Sequence, residues 1–265
     1  MSSSGGRRIR VRLFAVLRER AGVDEIELNG VPPDATVGAV KALVAERHPE
    51  LGDLTAVATV VGTAYASPDT ALGDADEVAL LPPVSGGAPD GDPDGDPGND
   101  VERGVFVLSA DPLDPADLQA RVAHPSCGGI VVFTGTTRDT NRGQDVAQLD
   151  YEAFEEMSGP EMRRIFDDCL REHGPGSQGG GSHGEGASGE GADREEVDRR
   201  LRMVCAHRVG TVGVGEPSVV IAVASPHRDA AFLAARFLID TLKERLPVWK
   251  KEVYRDGHHW IGDRS

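Results

Sequence analysis

Lysine is scarce in this chain: of 28 basic residues only Lys41, Lys243, Lys250 and Lys251 are lysine, and the rest are arginine. Cysteine is scarcer still. Cys127, Cys169 and Cys205 stand alone and far apart, so neither a disulfide framework nor a C-x-x-C zinc site is encoded, and each reads as a small reduced residue. No apolar run approaches a membrane span, and residues 1–8 lack the apolar stretch of a secretory signal. The expectation is a cytoplasmic chain that does not engage a membrane. Apolar residues still make up 39% of the 265 positions, enough for two modest cores separated by glycine-rich breaks.

The net charge of −16 is concentrated rather than spread. Two segments of low complexity, 88–104 and 173–197, hold more than half of it, which leaves the remainder only mildly acidic. A basic pocket can therefore exist inside an acidic protein, whereas nonspecific nucleic-acid binding is disfavoured.

Residues 7–87 read as one folding unit. Ile9, Val11 and Leu13 alternate with arginines, and Ile26 and Leu28 repeat the period after an Ala21-Gly22 turn, which predicts a hairpin. Thr36 caps a helix with Val37, Val40, Leu43 and Val44 on one face, and strands follow at 57–61 and 78–81. Strand, strand, helix, strand, strand in this length predicts a ubiquitin-like β-grasp domain over 1–87, running out through Pro82-Pro83-Val84-Ser85 into Gly86-Gly87. A terminus without side chains can thread into a narrow active site, because glycine is slim and conformationally permissive. On Val11-Arg12-Leu13-Phe14-Ala15, Gly73 to Val78 and Pro82 to Gly87, this unit resembles the small, sulfur-carrier subunit of molybdopterin synthase. The resemblance implies that Gly87 is adenylated and sulfurated by an activating enzyme and carries the sulfur as a thiocarboxylate.

Residues 88–104 follow as an acidic, Gly-Asp-Pro-repeating linker with no apolar content to offset the entropy of ordering. The second unit, 105–265, reads as α+β. Asp114-Pro115 starts a helix, a buried strand lies at 129–134 and another at 149–154, and Ser158 to Glu161 has the form of a capping box opening another helix. Strands near 201–207 and 219–224 frame a long helix from about His227 to Leu246, and Val248 to Glu252 returns as a strand. The glycine-rich stretch 173–197 reads as an insertion looping outward. Its histidines, standing singly among glycines, read as solvated side chains rather than metal ligands, and no metal or organic cofactor is called for.

Chemistry gathers near the end of the chain. Three of the four lysines fall within nine residues, in a chain that otherwise uses arginine, which points to a need for a compact or titratable amine. The alternative is an ordinary solvated helix end with Lys243 at the negative pole of the dipole. His227 and Arg228 open the same helix, where phosphate oxygens are favoured, and Gly135 delivers Arg138 into a polar loop. Through Phe133-Thr134-Gly135 with Arg138, His207-Arg208-Val209-Gly210, His227-Arg228, Leu242-Lys243, Trp249 to Glu252 and Trp260, residues 105–265 resemble the large, catalytic subunit of molybdopterin synthase. The resemblance implies catalytic roles for Lys243 and Lys250, and contacts to an anionic pterin from Arg138, His227, Arg228, Lys251 and, across a homodimer, Arg264.

The expected activity is that of a fused molybdopterin synthase, a sulfurtransferase that converts cyclic pyranopterin monophosphate to the molybdopterin dithiolene after a protease cuts behind Gly87. Two rivals differ in class. The carrier unit could be the precursor of a ubiquitin-like modifier, revealed by conjugates on other proteins, or the whole chain a noncatalytic pterin-binding scaffold, against which the set of basic motif residues argues.

Overall fold

The computed structural model describes residues 6–82, 100–175, 200–257 and, for the backbone, 259–262. Gly86, Gly87, Arg264 and most of both low-complexity segments lie outside the described residues. In the first unit, β1 (Arg7–Leu13) buries Ile9, Val11 and Leu13, as their alternation requires, and pairs antiparallel with β2 (Glu25–Val31). Their connection is not the expected plain turn. It contains α1 (Ala15–Ala21), seven residues that bury Ala15 and Leu17 and close on Gly22 in the left-handed region at φ 69°. A helix of two turns is too short to show its own period.

Helix α2 (Val37–Arg47) begins as predicted, with the Thr36 hydroxyl accepting from the Ala39 amide at 3.3 Å and Val37, Val40 and Val44 buried. Strands β3 (Ala58–Val61), β4 (Ala64–Ala66) and β5 (Glu77–Leu81) complete a mixed sheet in the order β2-β1-β5-β3-β4, with β1 and β5 parallel. This is the β-grasp arrangement. It sends the chain out of the sheet from β5, buried to its last residue, Leu81.

The second unit has two sheets. β6 (Val105–Ser109), α3 (Pro115–Val122) and β7 (Gly129–Thr136) lead into the first, whose order is β6-β10-β12-β7 with β10 (Arg202–Arg208) and β12 (Pro217–Ser225) at its centre. β7, expected to be buried, is an edge strand and only half covered. The other sheet joins β9 (Gln144–Ala153) to β11 (Gly210–Gly213) and β13 (Val248–Tyr254), with β14 (His259–Gly262) beyond and the two-residue β8 (Thr140–Asn141) paired to β9. α4 (Glu155–His173) and α5 (Arg228–Arg245) pack together over them. Met162, Ile165, Phe166 and Cys169 recur at helical spacing against Ala231, Ala234, Leu238 and Leu242.

The capping box expected at Ser158 does not form. α4 already begins at Glu155, and the Ser158 hydroxyl donates back to the Phe154 carbonyl at 2.8 Å. Glu161 is fully buried and accepts from Arg245 at 2.7 Å and Arg164 at 2.9 Å. The Ser and Glu of the motif therefore serve the helix interior and a tertiary ion pair.

The two units meet through a small apolar core. Phe14, Ala15, Val60, Ala79 and Leu81 of the first close on Phe154, Met157 and Trp249 of the second, with the Phe14 ring 4.7 Å from Phe154 and 5.4 Å from Trp249. Charge pairs surround it: Arg12 with Glu156 at 2.9 Å, Arg18 with Glu152 at 2.9 Å, and Glu19 with Lys251 at 3.0 Å. Burial pushes the Tyr65 phenol of β4 up to about 12, helped by the negative charge of Glu161.

Because Arg245 and Arg164 share a carboxylate that no water reaches, Glu161→Ala leaves buried guanidinium groups short of a counter-charge. The expected cost is about 3–5 kcal/mol of stability. Chemical denaturation of the variant against the parent chain measures it, and a loss within about 0.5 kcal/mol would mean that Asp168, which also accepts from Arg245 at 2.5 Å, suffices as its counter-charge.

Candidate active site

Strand β13 organises the site through the period of two that every strand imposes. Lys250 and Glu252 point to one side, where both line a cavity of about 270 Å³. Trp249 and Lys251 point to the other, toward the carrier unit: Trp249 into the shared apolar core, Lys251 to Glu19. The consecutive lysines thus have different neighbours because they are consecutive. Lys251, expected to contact substrate, instead pairs with the carrier.

Lys243 reaches the same cavity from the last turn of α5, and the return of the chain as β13 brings Lys250 to it as well. Arg138, just beyond the end of β7, lines it as well, with Asn141, Tyr151 and His207. The cavity therefore has three cations, one carboxylate and a set of uncharged polar groups on apolar walls that include Phe133, Val146 and Leu242. Such a lining suits an anionic, flat, heteroatom-rich molecule.

Glu252 holds Lys250 in place. Its carboxylate, 4% exposed, accepts from Asn141 Nδ2 at 2.7 Å and from the Tyr254 hydroxyl at 2.7 Å, and it pairs with Lys250 Nζ at 3.1 Å. Desolvation works to raise this carboxyl, yet the hydrogen bonds from Tyr254, Asn141 and Lys250 hold it below the ordinary range. It remains an anion. A long, flexible ammonium is thereby confined beside the cavity before any ligand arrives. Glu252 was visible in the sequence only as a neighbour in a motif; its place two residues after Lys250 on a strand is the signal that pairs them.

His207 is the other residue whose environment exceeds what its motif conveys. It is the penultimate residue of β10, 2% exposed, with its ring edge-on to Tyr151 at 5.1 Å and Nδ1 2.7 Å from the Arg208 carbonyl. Burial lowers its pKa to about 4, against a smaller opposing effect of that carbonyl.

His227 and Arg228 do not join this constellation. They open α5, and Lys243 lies fifteen residues further along it, a rise of about 22 Å. His227 caps the helix without a side-chain hydrogen bond, and Arg228 is exposed beside Asp229 at 3.8 Å. The expected grip of Arg138, His227 and Arg228 on one phosphate is thus not made within a single copy of the chain. A helix puts its first and last turns at opposite ends, which motif matching along a sequence does not register.

A second, smaller cavity of about 130 Å³ lies where the units meet, between Ala15, Arg18 and Glu19 of the carrier and Glu152, Trp249 and Lys251 of the other unit. Lys250 and Tyr151 line both cavities. The carrier is therefore seated directly behind the strand that carries the lysine.

Comparison with known proteins gives this geometry a family. Residues 108–245 match the MoaE protein family, and residues 11–87 match the ThiS family. The molybdopterin synthase catalytic subunit of Culex quinquefasciatus is 41% identical over 150 residues, spanning 57% of this chain and 80% of that protein. Catalytic subunit 1 of Mycobacterium tuberculosis is 36% identical over 157 residues, spanning 59% of this chain and 90% of its own length. Among solved structures, molybdopterin synthase from Staphylococcus aureus superposes with a TM-score of 0.47 at 27% identity, over 59% of this chain and 96% of that one. The chain belongs to the MoaE family of molybdopterin synthase catalytic subunits, joins to it a ThiS-type sulfur-carrier domain, and acts in molybdenum cofactor biosynthesis.

Proposed function

We propose that the chain transfers sulfur from a thiocarboxylate on Gly87 of its own carrier domain to cyclic pyranopterin monophosphate, forming the dithiolene in two rounds. The observation that carries this reading is the convergence of Lys243 and Lys250 on one cavity, with the carrier packed against the reverse face of Lys250's strand. Gly87 follows Leu81 by six residue steps, which if fully extended could span about 20 Å, a length suited to reaching around β13. In each round the thiocarboxylate sulfur attacks a side-chain carbon of the pterin and a C–O bond of that carbon breaks, its oxygen leaving in one round as the phosphate oxygen of the opened cyclic ester and in the other as water. Water then attacks the acyl carbon, the acyl carbon–sulfur bond breaks, sulfur stays on the substrate, and Gly87 leaves as a carboxylate. Lys250, held by Glu252, and Lys243 stabilise the anionic sulfur donor and the charge that develops on its acyl oxygen. Arg138 binds the phosphate.

His227 and Arg228 fit this scheme as contributions from a second copy. Around them α5 exposes Phe232 and Leu233, at 62% and 53%, and an apolar groove between α5 and β7 shares Phe133 and Ile239 with the main cavity. A homodimer through this face would cover the apolar stripe and carry the start of one α5 toward its neighbour's site. Sulfuration requires an activating enzyme, and a carboxylate at Gly87 requires a protease to cut before Ala88, both cytoplasmic in this reading. A precursor of a protein modifier has less support, since such a role gives no reason for a catalytic-subunit domain downstream.

Lys243→Ala and Lys250→Ala are each expected to lower molybdopterin formation by about 10²–10³, measured by single turnover with thiocarboxylated carrier. Near-normal turnover of both would remove the lysines from the chemistry. Lys41→Ala is a control for chemistry but not for stability, because Lys41 Nζ donates to the Thr55 and Val57 carbonyls at 3.3 and 2.5 Å.

If sites are shared, Arg228→Ala and Lys243→Ala chains, each inactive alone, should regain about one quarter of parental activity when co-refolded in equal amounts, through the one intact site of each mixed dimer. No recovery would place Arg228 outside the site. Intact mass of protein from its native cell is expected to show a fragment ending at Gly87, partly as thiocarboxylate; an uncut chain turning over at the rate of the separated pieces would overturn the cleavage step.

A further inference from the structure

We propose that His207 determines which redox state of the pterin the cavity accepts, its Nε2 lone pair receiving a hydrogen bond from a ring N–H that only a reduced pterin carries. The proposal rests on the cavity being the pterin site, and it assigns a role to a side chain that the sulfur-transfer scheme leaves unused.

The tautomer follows from geometry. A carbonyl oxygen can only accept, so at 2.7 Å from the Arg208 carbonyl the His207 Nδ1 must be the nitrogen that bears hydrogen. Nε2 is then an acceptor. No hydrogen bond from the described residues reaches it, and the ring forms part of the cavity wall together with Tyr151, Ser218 and Val219. Tyr151, edge-on at 78°, and the buried Cys205 on the same face of β10 keep the imidazole from turning over. With Nδ1 committed to the Arg208 carbonyl, Nε2 is the ring atom left to meet a ligand in the cavity. Its low pKa, about 4, adds that it does not become a donor in the physiological range.

A fixed acceptor discriminates strongly between ligands that differ by one hydrogen. A reduced pterin presents N–H donors in the ring that in the fully oxidised, aromatic ring become bare nitrogen lone pairs. Facing Nε2, the first forms a hydrogen bond. The second sets lone pair against lone pair. His207 thus couples substrate recognition to the oxidation state that the product's chemistry needs, without touching the sulfur.

The test uses the full chain with His207→Asn and His207→Gln. Asparagine can still donate to the Arg208 carbonyl but has nothing at the Nε2 position, whereas glutamine can place its amide oxygen there. The expected result is that Asn raises KM for the reduced substrate roughly tenfold or more with little change in kcat, and narrows the affinity gap between reduced and oxidised pterin phosphate. Glutamine restores much of both. If Asn and Gln behave alike, or the reduced-to-oxidised preference survives in Asn, the proposal is wrong, while parental turnover on the reduced substrate keeps the pterin-site reading standing on its own. A measurement on the unaltered chain guards against misfolding of the variants. In protein labelled with ¹⁵N-histidine, the signal assigned to His207 by its loss in His207→Asn should shift its unprotonated nitrogen on adding reduced substrate and not on adding the oxidised form. Equal responses to the two ligands, or none, would also overturn the assignment.

Discussion

The ion pair between Lys250 and Glu252, 3.1 Å long and formed along one strand, is the interaction around which the site is arranged. Glu252 is buried, so it must be matched, and Asn141 from the β8 hairpin and Tyr254 from the end of β13 supply the remaining hydrogen bonds. Those partners tie β8, β9 and β13 together at the rim of the cavity. The lysine is thus oriented by a network whose integrity the fold already requires. An ammonium on four carbons carries considerable rotamer entropy, and restricting it beforehand leaves less to be lost when an anion binds.

The same strand also separates two kinds of contact. Its inward residues line the cavity, while Trp249 and Lys251 on the reverse face engage Phe14 and Glu19 of the carrier. Docking contacts and the lining of the cavity are therefore one residue apart in sequence and on opposite sides of a backbone. The apolar contact supplies attraction of modest size, and the ring of partly exposed ion pairs adds little energy but fixes orientation, because like charges would meet in any rotated pose. That balance gives a contact that is oriented without being tight.

α5 explains the largest departure from what motif spacing implied. Its apolar residues recur at helical period and hold it rigidly on α4 and β12, so its two ends cannot approach each other. A functional set drawn from both ends can act on one ligand only if a second helix supplies one of them. The exposed Phe232 and Leu233 lie in the turn that follows Arg228, where such a partner would sit.

Much was decided by the chain's order alone. Alternating apolar residues specified β1 and β2, the Thr36 and Asp114 caps specified the starts of their helices, and clustering of lysine in an arginine-rich chain marked a segment that lines the cavity, since each of these signals is local. The short α1, the true start of α4, the buried Glu161–Arg245 pair and the opposite orientations of Lys250 and Lys251 needed the tertiary structure. These depend on which face of an element is covered and by what, and burial is a property of distant segments meeting. His207 shows the division most clearly. Its motif was legible in sequence, but its neutral state and its outward acceptor arise from the Arg208 carbonyl, Tyr151 and a cavity wall that exists only once β9, β10, β12 and α5 have packed.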